Sequence, residues 1–296
     1  KRGKVFSMID GKSSSYFYIF DSVASVIAGF TFVINGYIPM ILCFICCVIS
    51  TIISFRFRHT TILQEKIKPV TFTEYKKQLK DSFKFFIKSK RMRNLILFNA
   101  VFIGTLYGIV NLRSSMLSEM NVPEQYFGII FAILQLVAAL ATRQTDKIHN
   151  SFRNKTLTYL GIPLVLSCIF IGLIGQDRLS YSSLILIVLL FAIQFAVKGP
   201  YLGLMTRYLN NFTNRGIRPK ISALRYLTAN LVIATISLLC SGLLAITSTA
   251  NTFIIIGCLS TVGVVILLDR MRGKVGLKPE EYEKEDIRYS INRPKK

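Results

Sequence analysis

Eight long blocks of apolar residues alternate with shorter polar segments along this chain. Each block approaches the roughly 20 residues that a helix needs to cross a hydrocarbon core about 30 Å thick. Because lipid offers no hydrogen-bond partners, the backbone of each block must satisfy its own polar groups, as an α-helix does. The pattern predicts an all-α polytopic membrane protein with about eight transmembrane helices, in blocks 16–34, 37–55, 94–112, 127–142, 156–174, 182–206, 221–246 and 253–268.

The segment 56–93 is the longest polar stretch between two blocks, and it is strongly basic. Thr71 and Glu74 fit a capping box, and the apolar residues that follow recur at helical spacing between lysines. This spacing predicts an amphipathic helix. The helix either lies in the inner headgroup layer, bound to anionic membrane lipid, or packs beneath the helix bundle. The sequence leaves both arrangements open.

The formal net charge of +22 would suggest a nucleic-acid partner in a soluble protein. Here the positions of the charges argue against one. Every Lys and Arg except Arg113, Arg178 and Lys198 falls on one predicted side of the membrane, with Arg225, near the start of block 221–246, counted in the inner segment 207–225. Such a bias in the connecting loops is the positive-inside pattern, and it predicts that both termini are cytoplasmic.

The sequence contains no arrangement typical of catalysis. Its six cysteines lie within apolar blocks, without the polar surroundings and second ligand pair of a zinc site or the spacing of a disulfide framework. It has no GxxxxGK[ST] loop for nucleotide phosphates. His59 and His149 both fall in predicted cytoplasmic loops, and no Ser-His-Asp set accompanies them. We therefore expect neither an enzyme nor a resident metal or cofactor.

The order of the blocks and two short motifs point to one family. Two blocks form a hairpin before segment 56–93, six blocks follow it, and Asp146-Lys147 with the later Arg153 stands after the fourth block. This order, the hairpin sequence 25–39 and the acid-base spacing resemble bacterial members of the major facilitator superfamily. The inner-loop pattern of that family has glycine where Thr142 stands here. The resemblance implies a bacterial plasma-membrane protein and a gating role for Asp146, Lys147 and Arg153.

Members of this superfamily have twelve spans in two six-helix halves, and each half contains two inverted three-helix repeats. The template assigns four regions: 1–55 as the last two helices of the N-terminal half, 56–93 as a cytoplasmic linker, 94–270 as the six-helix C-terminal half and 271–296 as a cytoplasmic tail. The resemblance therefore implies an N-terminally truncated chain. Its partners would include the four missing N-terminal helices of the same protein.

The function that the resemblance implies is secondary active transport of a small solute by alternating access around a mid-membrane site. Because polar groups are sparse and the spans are rich in Phe and Leu, we expect efflux of amphipathic compounds. The proton is a candidate coupling ion. The alternative is a polytopic scaffold or a membrane-embedded enzyme that is complete with eight helices.

Two charged residues lie well within apolar blocks, where ionised side chains are expensive to bury and often functional. Asp21 could bind a proton or a cationic substrate, which makes it the predicted coupling residue; it could instead reach the headgroup layer or cap a neighbouring helix. Lys198 precedes Gly199-Pro200, which we expect to kink the helix beside a cation that holds an anionic or polar substrate. Its side chain could instead extend to the inner interface.

Uncharged polar residues complete the predicted substrate site. Gln135 and Gln194 lie near the middles of their blocks, Asn230 lies about a third of the way into its own, and Tyr107 belongs to a helix with a polar face. Their side chains would bind solute if they face a cavity, or bond helices together if they face a neighbour. Arg113, at the predicted outer end of its helix, could draw anions to the mouth or contact lipid headgroups.

Overall fold

The computed structural model describes residues 2–56, 71, 76, 86, 89–176, 181–213 and 218–271. These residues are helical apart from short connections, and no strand occurs among them. Eight helical segments of this part of the chain are long and apolar enough to cross a membrane. The predicted all-α class and the predicted number of spans are therefore confirmed.

Ten α-helices make up these eight spans, because two of the spans contain a second, shorter helix. In chain order they are α1 (Arg2–Ile34), α2 (Tyr37–Ser54), α3 (Lys90–Gly108), α4 (Val110–Glu119), α5 (Gln125–Arg143), α6 (Thr145–Phe152), α7 (Thr156–Ile174), α8 (Tyr181–Asn211), α9 (Arg218–Leu244) and α10 (Thr249–Met271). The helices α3 and α4 meet at Ile109 and form one span. A 3-10 turn at Arg153–Lys155 connects α6 to α7.

Most helices extend beyond the apolar blocks, because polar residues outside the hydrocarbon layer can continue a helix while still reaching water. The third span runs past its predicted end at Leu112 to Glu119. This corrects the prediction for Arg113, which is buried within the bundle and not at an outer end. The predicted amphipathic helix of segment 56–93 lies almost wholly outside the described residues, and the tail after Met271 lies entirely outside them.

Hydrogen bonds near the ends of the apolar spans show which ends lie together. At one end of the bundle, Arg143 on α5 donates to Ser15 on α1 at 3.2 Å, and Asn94 on α3 donates to the Arg270 carbonyl on α10 at 3.4 Å. At the opposite end, Glu119 on α4 accepts a hydrogen bond from the start of α10. The first end is called the basic end below. It is where α1, α3, α7 and α9 begin and where α2, α5, α8 and α10 end.

Six of the spans form two sets of three that pack in the same way. The first set is α3–α4, α5 and α7, and the second set is α8, α9 and α10. The first helix of each set packs against the second helix of the other set, α3 against α9 and α8 against α5. It also packs against the third helix of the other set, α3 against α10 and α8 against α7. Helices α7 and α10 pack against each other. A two-fold axis between the two sets would produce this pattern of pairs.

Two hydrophobic clusters fill the bundle at different depths. The cluster nearer the basic end includes Phe102, Leu106 and Tyr201, and the cluster nearer the opposite end includes Ile109 and Phe191. The outer helices are less covered: α2 has no buried residue, and few residues of α9 are buried. Apolar side chains on these surfaces suit contact with lipid or with further helices.

Helices α1 and α5 cross closely at a pair of glycines. A Cβ atom on Gly128 would lie 2.5 Å from the Ser25 carbonyl oxygen and 2.9 Å from the Gly29 Cα atom. Since neither glycine carries a side chain, the two backbones approach more closely than larger residues would allow. The crossing holds one face of α1 against the bundle, including the buried Tyr18.

We predict that Gly128→Ala weakens this crossing. Overpacking costs about 1–3 kcal/mol, so the midpoint of thermal unfolding of the purified protein should fall by several degrees. The matched control is Gly242→Ala on α9, where an added Cβ atom meets no other atom within 4 Å. Both changes gain the same helix propensity, so the difference between the two midpoints measures the crossing alone. A Gly128→Ala midpoint equal to or above that of the control would contradict the prediction.

Candidate functional site

Predicted site residues gather near the middle of the bundle. Lys198 lies about 20–25 Å from either end of α8, taking about 1.5 Å per residue. On the same helix, Phe195 belongs to the hydrophobic cluster away from the basic end and Tyr201 belongs to the cluster near it. Tyr107 lies between the two clusters in the same way on α3. The bundle therefore has a polar layer between two apolar layers.

The Lys198 ammonium group is surrounded by aromatic rings from three helices. Its Nζ atom lies 5.1 Å from the ring centroid of Tyr18 on α1, 5.5 Å from that of Tyr107 on α3 and 5.0 Å from that of Phe195 on α8. Each ring at such a distance attracts a cation by about 0.5–2 kcal/mol. Lys198 is only 8% exposed, so its charge lies inside the bundle. The alternative in which this side chain reaches the inner interface does not describe the structure.

A second cation, Arg113, lies beside the Lys198 group. Its guanidinium carbon lies 5.2 Å from the ring centroid of Phe195, the same ring that Lys198 contacts. Arg113 donates from Nε to Gln194 Oε1 and from Nη2 to the Leu106 carbonyl, both at 3.0 Å. Arg113 is 4% exposed and Gln194 is completely buried. Both acceptors are neutral, so these hydrogen bonds hold the guanidinium without cancelling its charge.

The acid of the site, Asp21, is bonded to Gln135. The Gln135 Nε2 atom donates to Asp21 Oδ2, which links α5 to α1. The other amide atom, Gln135 Oε1, is buried and has no hydrogen-bond partner among the described residues. Asp21 also interacts electrostatically with Lys198, although the two do not form an ion pair in this part of the chain. Asp21 therefore belongs to the same polar layer and does not reach the headgroup region.

Helix α8 continues as one α-helix through Gly199 and Pro200, beside Lys198. Proline removes one backbone donor, and the helix packs against both α5 and α7. Gly199 serves the packing: a Cβ atom there would collide with the Ala138 carbonyl oxygen and with Thr142. The glycine thus lets α8 lie close to α5 at the level of the polar layer.

Two polar residues within the spans, the predicted Asn230 and also Asn99, do not join this layer. Asn230 is exposed on α9 and forms no hydrogen bond with the described residues. Asn99 on α3 accepts a bond of 3.4 Å from the Tyr201 hydroxyl, and Tyr201 stacks on Phe102 with ring centroids 3.6 Å apart. Asn99 therefore connects α3 to α8 within the apolar layer near the basic end.

The predicted gating residues lie at the basic end. Asp146 on α6 accepts a hydrogen bond of 3.0 Å from Arg207 on α8, and this ion pair is partly exposed. A second link joins the same helices, because His149 Nδ1 lies 2.8 Å from the Tyr208 hydroxyl oxygen. An exposed ion pair contributes about 0–1 kcal/mol, so these contacts can form and break readily.

The other two predicted gating residues make no comparable link between helices. The side chains of Lys147 and Arg153 form no hydrogen bond or ion pair within the described ranges. Arg153 has a backbone φ of 41°, a left-handed conformation that favours glycine, and it turns the chain from α6 into α7. Its contribution here is to the path of the backbone.

Tyr18 and Phe195 belong to the site but are not predicted from sequence, because an aromatic residue in an apolar block is most often a core residue. Helical spacing carries a signal for both. Tyr18 precedes Asp21 by three positions and Phe195 precedes Lys198 by three, so each ring shares a helix face with a charge. Gln194 and Lys198 are four positions apart on the same face.

The chemistry of this layer suits binding more than bond breaking. It offers two cations, one acid, amides and aromatic rings, and no group of three potential metal ligands occurs among the described residues. A separate cleft of about 650 Å³ lies near the basic end between α7 and α10, lined by Lys155, Tyr159 and Asp269 among others. None of the predicted binding residues lines that cleft.

Comparison with known proteins assigns no family to this chain. No protein-family model matches it, and no curated protein matches it. The case for a function therefore rests on the packing of the helices, on the polar layer and on the sequence resemblance described above.

We predict that Gln194→Leu destabilises the protein, because it leaves the Arg113 Nε donor buried without an acceptor. Losing a hydrogen bond to a buried charged group costs about 1–3 kcal/mol, which should lower the midpoint of thermal unfolding by several degrees. The control is Gln176→Leu, at an exposed residue with a long 3.5 Å contact to Asn251. Equal midpoints for the two variants would show that the Arg113–Gln194 hydrogen bond does not contribute to the stability of the folded protein.

Proposed function

We propose that this chain is the greater part of a secondary transporter of the major facilitator superfamily, which moves a small solute by alternating access. The observation that carries the proposal is the charged, ring-lined layer at mid-depth, formed by Asp21, Tyr107, Gln135, Gln194 and Lys198. Charged groups inside a membrane protein are rare and commonly mark the path of a solute or an ion. A scaffold needs no such layer.

The pairing of the two three-helix sets supports this family. Because each set has three spans, an odd number, the second set enters the membrane from the side opposite to the first. Two three-helix sets with matching contacts and opposite orientation form an inverted repeat. Each six-helix half of this superfamily contains such a repeat. Tyr107 and Lys198 lie on α3 and α8, the first helices of the two sets, so the site lies between the repeats.

The contact between α1 and α5 supports the placement of the first two helices in the other half. In a twelve-span protein, α1 would be the fifth helix of its half and α5 the second helix of the other. The axis that relates the halves then pairs the second helix of the first half with α9. This accounts for the uncovered surface of α9 and gives Asn230 a neighbour in the full protein.

Alternating access requires contacts that open at each end in turn. At the basic end, the Asp146–Arg207 pair and the His149–Tyr208 contact would close the bundle. At the opposite end, the bond between Glu119 and Thr249 joins the first and last spans of the six. Breaking one set of contacts while the other holds would open the polar layer to one side of the membrane at a time.

Asp21 and Gln135 would hold a coupling proton. While Asp21 is ionised, the Gln135 amide nitrogen donates to it. After a proton binds Asp21 Oδ2, the amide can turn so that Gln135 Oε1 accepts the new O–H donor. The pair stays bonded in both states, which lets a proton enter and leave without separating α1 from α5.

The direction and the solute class rest on composition. Efflux of amphipathic compounds stays a prediction from the sparse polar groups and the many Phe and Leu residues of the spans.

We predict that Asp21→Asn and Lys198→Gln alter solute flux by about tenfold or more, since each removes a charge from the proposed site. The assay is a solute screen in vesicles that contain the full-length protein, with and without an imposed pH gradient. The matched controls Asp269→Asn and Lys90→Gln change exposed residues and should leave flux per folded molecule unchanged. If all four variants transport alike, this layer is not the transport site.

The proposed orientation gives a second prediction, because positive-inside bias assigns the basic end to the cytoplasm of a bacterial cell. Reporter tags at His149 and Gln176 should report opposite faces, since α7 separates the two residues. The His149 tag should be cytoplasmic, as should tags at either terminus. Tags at His149 and Gln176 that report the same face would contradict the proposed topology and the transporter proposal that depends on it.

A further inference from the structure

We infer that the substrate of this site is an organic anion with an apolar, ring-bearing body, and that Lys198 binds its negative group. This inference deepens the transporter proposal and rests on it. It names a substrate class that depends on the sign of the charge in the polar layer.

The charges of the polar layer do not balance. Among the described side chains in the middle of the bundle, Arg113 and Lys198 are cations and Asp21 is the one carboxylic acid. Asp21 accepts a hydrogen bond from Gln135, and neither cation forms an ion pair with a carboxylate among the described residues. An uncompensated charge in a low-dielectric interior is unfavourable. A bound anion would supply the missing negative charge.

Lys198 is the better anchor of the two cations. Two of the Arg113 donor atoms, Nε and Nη2, are already occupied by Gln194 and by the Leu106 carbonyl. The Lys198 ammonium group has three N–H donors, and the described residues give it rings and no acceptor atom. The rings attract the charge but satisfy none of its hydrogen bonds. Those three donors are free for a ligand oxygen.

The rings that surround Lys198 also define what accompanies the negative group. Tyr18, Tyr107 and Phe195 offer flat apolar surfaces within reach of the ammonium group. The hydroxyl groups of the two tyrosines have no hydrogen-bond partner among the described residues, so their donors are available to a ligand. A carboxylate attached to an aromatic or other apolar body fits these surfaces, whereas a polyhydroxylated sugar would leave its hydroxyls without partners.

Arg113 adds a second positive charge near Lys198. Its guanidinium carbon lies 5.2 Å from the centroid of the Phe195 ring that Lys198 also contacts, and it interacts electrostatically with Lys198. A second positive charge close to the first strengthens attraction for an anion and opposes a cationic ligand. The two cations therefore favour an anion jointly. Arg113 has two hydrogen bonds to protein acceptors, whereas none of the three Lys198 donors has an acceptor among the described residues.

The test uses the purified full-length protein and a series of probes that differ only in charge. Benzoate and 2-naphthoate are compared with their neutral amides and with their cationic amidines, and the midpoint of thermal unfolding is followed with probe concentration. A ligand that binds the folded state raises that midpoint. We expect the carboxylates to raise it in a saturable way and the amides and amidines to have little effect.

The decisive variant is Lys198→Met, which keeps the length of the side chain and removes the ammonium group. It should weaken carboxylate binding by about tenfold or more, as expected for loss of a charged hydrogen bond. Lys198→Arg, which keeps the charge, should retain measurable binding even if Lys198→Met folds poorly. The control Lys90→Met, at an exposed residue, should bind the carboxylates as the parent protein does.

The outcomes separate this inference from the transporter proposal. Equal effects of acid and amide, a preference for the amidine, or no effect of either carboxylate would overturn the anion assignment, and so would carboxylate binding unchanged by Lys198→Met. Flux of a cationic or neutral solute in vesicles would overturn it while the transporter proposal stands. Carboxylate binding that depends on Lys198, without flux of any solute, would support the site and reject transport.

Discussion

A lysine ammonium group in the middle of an apolar bundle imposes the strictest requirement on this chain. Water cannot reach it freely, no acid within the described residues neutralises it, and its charge must be stabilised from several sides at once. Aromatic rings from α1, α3 and α8 meet that requirement around Lys198. Each of these three helices therefore has to lie close to the Lys198 ammonium group. The polar layer lies at the level where the three helices meet.

The convergence depends on how closely α1 approaches the rest of the bundle. Tyr18 and Asp21 both lie on α1, a helix whose remaining surface is largely uncovered. Gly29 and Gly128 remove the side chains that would keep α1 and α5 apart. Across the bundle, Gly199 lets α8 lie close to α5 in the same manner. Glycines thus allow α1, α5 and α8 to pack closely. The large and charged side chains of the polar layer lie between these helices.

Much of the fold follows from the sequence, because a bilayer demands long apolar helices and the blocks have that length. The polar residues within the blocks also locate the site: Asp21, Gln135, Gln194 and Lys198 all meet in one layer. The same reasoning selected Asn230, which is exposed, because polarity within a block does not tell which way a helix face points.

Other features of the site needed three-dimensional contacts. Sequence alone predicts an outer end for Arg113, because the polar residues after Leu112 resemble a loop although they continue the helix to Glu119. The spacing of Tyr18 and Phe195 places each ring on a helix face with a charge, but only the contacts show that both rings surround Lys198. Pairing of the three-helix sets is likewise absent from the order of residues, since it depends on contacts between distant spans.

The junction at Ile109 gives the third span a property that its neighbours lack. Backbone geometry there departs from that of an α-helix, with φ of −94° and ψ of 9°, so the span is two rods that meet at a joint. Tyr107 is attached to one rod and Arg113 to the other. Arg113 on the second rod donates to the Leu106 carbonyl on the first, so this hydrogen bond spans the joint. The angle between the two rods is therefore braced by the same guanidinium that lies beside Lys198.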